Sequence, residues 1–196
     1  YDEIFPLEIS DYSFFSRIII ESSFKELSEL KNKCIWISRE SALPKNTNID
    51  SSNIIWVSGL ETWKNIAKRG IWVNGSSDGL GEDIDSNIQH LTQNEWIKLT
   101  HMDAPPSKIK KVIPTYKLEK NKNFHNLDNK TYFYWMSSSA FKLALSEFPS
   151  IRDKFHFCGP GNTYNEIKNI LGKDSKNLFI ELSYKDWKSN ILSSTK

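Results

Sequence analysis

Cys34-Ile-Trp-Ile-Ser38-Arg39 with Ile54-Ile-Trp-Val-Ser-Gly59, and then Tyr132-Phe-Tyr-Trp-Met-Ser137-Ser138 with Phe155-His-Phe-Cys-Gly159-Pro160, set out one design twice in this chain. Each pair is an apolar run ending in serine, then a second apolar run ending in glycine, with a helical pattern beyond. Short runs of β-branched and aromatic residues without polar alternation read as strands buried on both faces, the state of strands in a parallel sheet. Ser38 and Gly59 are spaced as Ser138 and Gly159 are, with an offset of one hundred residues. The repeat predicts two similar α/β units facing each other across a cleft.

Working outward, Arg17–Glu21 reads as a β-branched strand and Ser22–Leu30 as a helix with Phe24, Leu27 and Leu30 on one face. Ser38–Leu43 makes one helical turn stopped by Pro44. Leu60, Trp63, Ile66 and Ala67 have helical spacing, with Gly70 where a C-terminal cap belongs. Ile71–Val73 is expected as a third strand, Gly79–Leu91 as a helix and Trp96–Leu99 as a strand. Val112–Leu118 reads as an extended crossing segment, and the Asn/Lys-rich stretch 119–130 as a loop. In the second unit Ser138 or Ser139 is the expected N-cap of a helix carrying Phe141, Leu145 and Phe148. Thr163–Leu171 is the next helix, Leu178–Ile180 the last strand, and Tyr184–Leu192 a final helix with Trp187 and Ile191 inward. Strands alternating with helices predict a parallel sheet in each unit.

Composition suits packed cores: 38% of the 196 residues are hydrophobic and 13% aromatic. The formal net charge of +2, with acidic and basic residues interleaved, does not indicate a nucleic-acid binder. Two cysteines, Cys34 and Cys158, are too few for a disulfide framework or a Cys-rich zinc site and are expected as reduced thiols of a cytoplasmic protein. The first residues do not show the charged, apolar and small-residue succession expected of a signal peptide, and no apolar run reaches membrane-spanning length.

Ligands of parallel α/β sheets bind beyond the carboxyl ends of the strands. Here those positions hold Ser38, Gly59, Ser137, Ser138 and Gly159, with Thr62 three residues past Gly59, and Asn162 and Thr163 just past Gly159. Serine and glycine opening a helix present backbone N–H groups and a hydroxyl where the helix dipole favours an anion. A phosphate or carboxylate is the expected guest, although each residue taken alone equally serves as a cap or a turn. Lys108, Lys110, Lys111, Lys117, Lys120 and Lys122 flank Tyr116 and are expected to fringe the cleft or to form a solvated face. Tyr116 offers a phenol near the hinge.

Other motifs carry less. Gly75-Ser-Ser-Asp-Gly79-Leu-Gly81 lacks the spacing of a phosphate loop or a dinucleotide fingerprint and reads as a turn. His90, His101, His125 and His156 show no ligand spacing, so no metal and no cofactor is expected. No Gly-x-Ser-x-Gly elbow supports a serine nucleophile.

The same residues resemble uroporphyrinogen-III synthase. Tyr132-Phe-Tyr-Trp-Met-Ser-Ser-Ser-Ala140 is similar to that family's strand followed by Ser-x-Ala/Gly, and Phe157-Cys-Gly-Pro-Gly-Asn-Thr163 to its Ile-Gly-Pro-Thr-Thr turn. Trp36-Ile-Ser-Arg-Glu-Ser-Ala-Leu43, Val57-Ser-Gly-Leu-Glu-Thr62 and Thr115-Tyr116 resemble its Phe-Thr-Ser-x-x-Ala-Val, Val-Gly-x-x-Thr and Val-Tyr. The resemblance implies two similar α/β domains joined by two extended strands around a cleft, drawn here as residues 1–33 plus 117–196 and an inserted domain of residues 34–116. It implies a lyase of tetrapyrrole (heme) biosynthesis that cyclises hydroxymethylbilane to uroporphyrinogen III, inverting ring D and losing water. Tyr116 would assist the leaving hydroxyl, and the strand-end residues would hold the substrate's eight carboxylates. The protein would act as a cytoplasmic monomer, alone or in association or fusion with hydroxymethylbilane synthase. The chain lacks the family's Thr-Arg-Pro opening within Tyr1–Phe15 and carries Gly161 as an insertion in the turn. Those departures motivate an alternative, a non-catalytic two-domain binding module on the same fold.

Overall fold

A computed structural model of the chain describes residues 2–77, 90, 92–122 and 125–194. In chain order its strands are β1 (Ile4–Phe5), β2 (Phe15–Ile19), β3 (Cys34–Ile37), β4 (Ile54–Val57), β5 (Gly75–Ser76), β6 (Trp96–His101), β7 (Lys111–Lys120), β8 (Tyr132–Trp135), β9 (Phe155–Cys158) and β10 (Leu178–Ile180). The α-helices are α1 (Ser22–Glu29), α2 (Leu60–Ala67), α3 (Ser138–Glu147), α4 (Asn162–Leu171) and α5 (Tyr184–Ser194). The helix expected over Gly79–Leu91 lies, His90 apart, outside the described residues.

The chain forms two compact units, Tyr1–Ser16 with Lys120–Lys196, and Arg17–Glu119. They divide at 16/17 and 119/120 rather than at 33/34 and 116/117. The first difference has a packing cause: Leu27 and Leu30 are buried in one cluster with Ile35, Ile37, Ile55 and Leu99, so α1 completes the core of the inserted unit. Each buried leucine contributes about 1.5–3 kcal/mol to that unit. The chain passes between the units within β2 and within β7.

The first unit holds a four-stranded sheet in the order β1-β8-β9-β10. All its pairings are parallel, with Ile4 opposite Tyr132, Tyr132 opposite Phe155 and Cys158 opposite Ile180. Strand β1, which no sequence pattern announced, adds an edge to it. One face packs Phe133, Trp135 and Cys158 against Phe141, Ala144, Ile167 and Leu171 of α3 and α4. On the other face Tyr134 and Ile4 pack against Trp187 of α5, which is fully buried.

The second unit holds a six-stranded sheet in the order β2-β7-β6-β3-β4-β5. From β7 through β5 every pairing is parallel, with Cys34 opposite both Ile54 and Trp96, and Ile97 opposite Lys111. The strand expected at Ile71–Val73 begins later, at Gly75. Asn74 first docks on β4, accepting the Ile55 N–H on its side chain (2.9 Å) and donating its own N–H to Ile55 O (2.8 Å). A Cβ at Gly75 would lie 2.3 Å from the Trp56 ring, so only glycine permits the approach that starts β5.

Both cysteines are free and buried, and burial pushes each thiol up, Cys158 to about 12. His156 is part of the first unit's core. It accepts from the Trp135 indole at Nδ1 (3.0 Å), which leaves Nε2–H to donate to Ile151 O (3.0 Å), and burial lowers it to about 4. Among the described residues no helix is long and apolar enough to cross a membrane, and no group of His, Cys, Asp and Glu is placed to hold a metal ion.

Candidate anion site at the strand ends

In the second unit β3, β6 and β7 run parallel, so their carboxyl ends gather together. Ser38 leaves β3 with its N–H donating to Leu99 O of β6 (3.1 Å) and its carbonyl accepting from the Ser58 hydroxyl (2.7 Å). The Ser38 Oγ is buried and has no hydrogen-bond partner. Gly59 is the N-cap of α2, with its carbonyl accepting from Trp63 N–H (3.0 Å) and no side chain closing the helix end. Thr62 Oγ1 stands 3.3 Å from Ser58 Oγ. The 3-10 turn Glu40–Ala42 is fixed above the sheet: Thr115 donates its hydroxyl to Ala42 O (2.7 Å), and Arg69 donates to Leu43 O and Pro44 O (both 2.7 Å).

Tyr116 lies opposite His101 in the β6–β7 register, with ring centroids 5.9 Å apart, and the Arg17 guanidinium stands 6.0 Å from the Tyr116 ring. Tyr116 is 3% exposed and belongs to the unit's core. His101 has a buried Nδ1 without a partner. Burial, then the charge of Arg39, holds His101 below its ordinary value; Lys98 adds to the lowering and Asp103 opposes it. Lys98 itself is buried, with its amine 5.5 Å from the Trp36 ring centre.

In the first unit the corresponding donors are engaged. The N-cap of α3 is Ser137, one residue before the expected Ser138 or Ser139; its Oγ accepts from Ala140 N–H (3.3 Å). The N–H groups of Met136 and Ser137 both donate to the Tyr12 hydroxyl (2.9 and 3.2 Å). Ser138 bonds to Glu166. Burial pushes that carboxyl up, but the bonds from Lys142 (2.7 Å) and Ser138 outweigh it and hold Glu166 low. Gly161 caps α4 at φ 96°, the left-handed region that favours glycine, and Asn162 is the first helical residue. Gly159 and Thr163 line a 380 Å³ cavity with Tyr134, Pro160 and Tyr184. Burial raises the Tyr134 phenol to about 12, and its hydroxyl donates to Glu181 O (3.3 Å).

The lysines divide. Lys108, Lys110 and Lys111 line a cavity at the amino ends of β6 and β7, with Trp96 and Glu95, and so lie at the far end of the sheet from Ser38. Lys117 pairs with Glu119 (2.8 Å) and Lys120 with Glu147. The cations that do gather at the carboxyl ends are Arg39 and Arg17, which the sequence pattern did not single out. Arg39 directly follows the serine of the opening stretch, and that adjacency was the available signal.

These features define a two-unit, parallel-sheet α/β protein whose candidate site is a set of strand-end donors. Its fold is that of uroporphyrinogen III synthase. A crystal structure of a mutant uroporphyrinogen III synthase from the extremely thermophilic bacterium Thermus thermophilus superposes with a TM-score of 0.60 at 6% identity, covering 94% of this chain and 86% of that one. The wild-type enzyme from the same organism, in a second crystal form, gives 0.51 at 7% identity over 92% and 87%. No family model and no curated protein sequence matches the chain.

Proposed function

We propose that this protein is a uroporphyrinogen-III synthase, a lyase that cyclises hydroxymethylbilane with inversion of ring D and loss of water. The observation that carries the reading is the second unit's strand-end arrangement, on a fold shared with that enzyme over 94% of the chain. An unpartnered Ser38 hydroxyl, the open N-terminus of α2 at Gly59 and Thr62, and the cations Arg39 and Arg17 offer donors and positive charge to a polycarboxylate. Gly159, Asn162 and Thr163 offer the first unit's donors, with Ser137 and Ser138 beside them.

The chemistry asks little of side chains. Protonation of the terminal hydroxyl releases water and leaves an azafulvene cation. Attack by the substituted carbon of the last ring forms a spiro intermediate, which fragments and recloses with that ring inverted. Holding the chain folded for spiro closure is the protein's main contribution. Tyr116 is assigned the proton given to the leaving hydroxyl. The role belongs with a cytoplasmic location in tetrapyrrole biosynthesis.

The alternative, a non-catalytic binding module, has its own observation: Tyr116 is packed in the core, and the Ser138 hydroxyl is tied to Glu166. Resolving the isomers formed from hydroxymethylbilane decides between them. The enzyme yields uroporphyrinogen III, whereas a binding module leaves only the unflipped isomer. Tyr116→Phe should lower kcat at unchanged stability; an unchanged rate removes Tyr116 from the mechanism.

A further inference from the structure

Parallel neighbours in a sheet are usually joined through a helix. Between the paired strands β3 and β4, however, the described residues 38–53 hold the 3-10 turn Glu40–Ala42 and no α-helix. A cavity of 850 Å³ lies beside this loop, walled on one side by loop residues from Glu40 to Asn53 and on the other by Arg69–Asn74. Asn53 precedes β4 and Asn74 precedes β5, so the cavity lies toward the amino ends of those strands, whereas Ser38 and Gly59 follow carboxyl ends. Its walls are held in place. Arg69 ties the loop to the end of α2 through Leu43 O and Pro44 O (both 2.7 Å), and the buried Asn53 donates to Leu30 O (2.7 Å) and Asp50 O (3.0 Å).

Two kinds of unmet capacity line it. Trp72 is 80% exposed, a large apolar ring left in water at the cavity wall. Thr47 Oγ1 is buried without a partner, a costly state that needs a cause. Asn74 has its carbonyl oxygen engaged by Ile55 N–H (2.9 Å), and its amide N–H groups have no partner among the described residues. Asp50 accepts Ser52 N–H (2.9 Å) on one oxygen and keeps lone pairs to spare. The charges of Glu40, Asp50, Lys45 and Arg69 cancel, so the lining selects no ionic guest. A purely aromatic guest would cover the indole and leave Thr47 and Asn74 unmet. We propose that this cavity is a binding site for a neutral saccharide: a pyranose ring lays its C–H face on the Trp72 indole, and its hydroxyls bond to Thr47, Asn74 and Asp50. The volume falls in the range of small-molecule sites, about 300–1,000 Å³, and the fixed walls reduce the cost of ordering it. The site is independent of the function proposed above.

The experiment is an NMR titration of the full chain with maltose, cellobiose and diacetylchitobiose, following the indole N–H resonances of the seven tryptophans. The Trp72 resonance is identified by its loss in Trp72→Phe. At least one disaccharide is expected to shift it saturably, with Kd about 1 mM or tighter, and to leave the indole of the fully buried Trp187 unmoved. Sorbitol, a polyol without a ring, and a capped trialanine peptide should shift neither. Trp72→Ala, read from the Asn74 side-chain amide, should weaken binding about fivefold to tenfold at unchanged thermal stability, and Trp72→Phe should restore most of it. Thr47→Val, which keeps the shape and removes the hydroxyl, should weaken it about threefold or more. No saturable shift with any of the three disaccharides, an equal response to sorbitol, a response to the peptide alone, or unchanged affinity in Thr47→Val overturns the site.

Discussion

The two units carry the same serine–glycine pattern at their strand ends and use it differently. In the first unit the Ser137 hydroxyl caps α3, Tyr12 takes the neighbouring N–H groups, and the Ser138 hydroxyl serves Glu166, a carboxylate held ionised nearby. In the second unit the Ser38 hydroxyl is buried and unpartnered, α2 opens without a side-chain cap, and Arg39 and Arg17 bring positive charge. A serine at a strand end is therefore no site by itself. The charge and the competing acceptors around it decide whether its proton is available to a ligand, and by that measure the second unit is the one proposed to bind the anion.

The contrast extends to the histidines, and the largest expected effect tests it. His156 of the first unit is a closed, neutral core residue, lowered to about 4 by burial. Its folded value lies below the unfolded one near 6.5, so its contribution to stability is complete above pH 6.5, declines as pH falls toward 4, and is gone below that. The loss amounts to roughly 3 kcal/mol. Urea unfolding at pH 7 and pH 4.5 should show this slope, and His156→Gln should flatten it; a slope retained in that variant places the acid sensitivity elsewhere.

Arg39→Gln comes next. Losing a charge-assisted contact of about 1.5–3 kcal/mol should raise KM for hydroxymethylbilane by about tenfold or more. Ser138→Ala should leave KM within about twofold, since its hydroxyl already serves Glu166. Equal effects from both variants would erase the distinction between the units. Ser137→Ala removes an N-cap and should cost about 1 kcal/mol of stability in thermal or urea unfolding, with KM little changed. Ser38→Ala, smallest in effect, should do the reverse: stability unchanged or slightly higher, because no partner is lost, and KM several-fold higher.

The architecture was legible because buried parallel strands advertise themselves. Cys34–Ile37 and Ile54–Val57 fall where their unbroken apolar character puts them, Phe155–Cys158 where an apolar run interrupted only by His156 does, and Gly172, at φ 58°, ends α4. What was illegible depended on tertiary contact. Two-residue β1 carries too little pattern to read, β5 is displaced by the docking of Asn74, and α1 joins the second unit through Leu27 and Leu30. The site shows the same limit. Serine and glycine at strand ends could be placed from spacing, whereas the partners that occupy or spare them, Tyr12, Glu166, Arg39 and His101, come from distant parts of the chain or from register. Of the two readings of the lysines around Tyr116, the cleft fringe does not hold for Lys108, Lys110 and Lys111, which a parallel strand carries to the amino end of the sheet.

Isomer analysis of the uroporphyrinogen formed from hydroxymethylbilane by the wild-type protein and by Arg39→Gln, run side by side, is the most direct test. Uroporphyrinogen III as the main wild-type product, giving way to the unflipped isomer in Arg39→Gln at sub-saturating substrate, is the predicted result. Only the unflipped isomer from the wild-type protein would contradict the account.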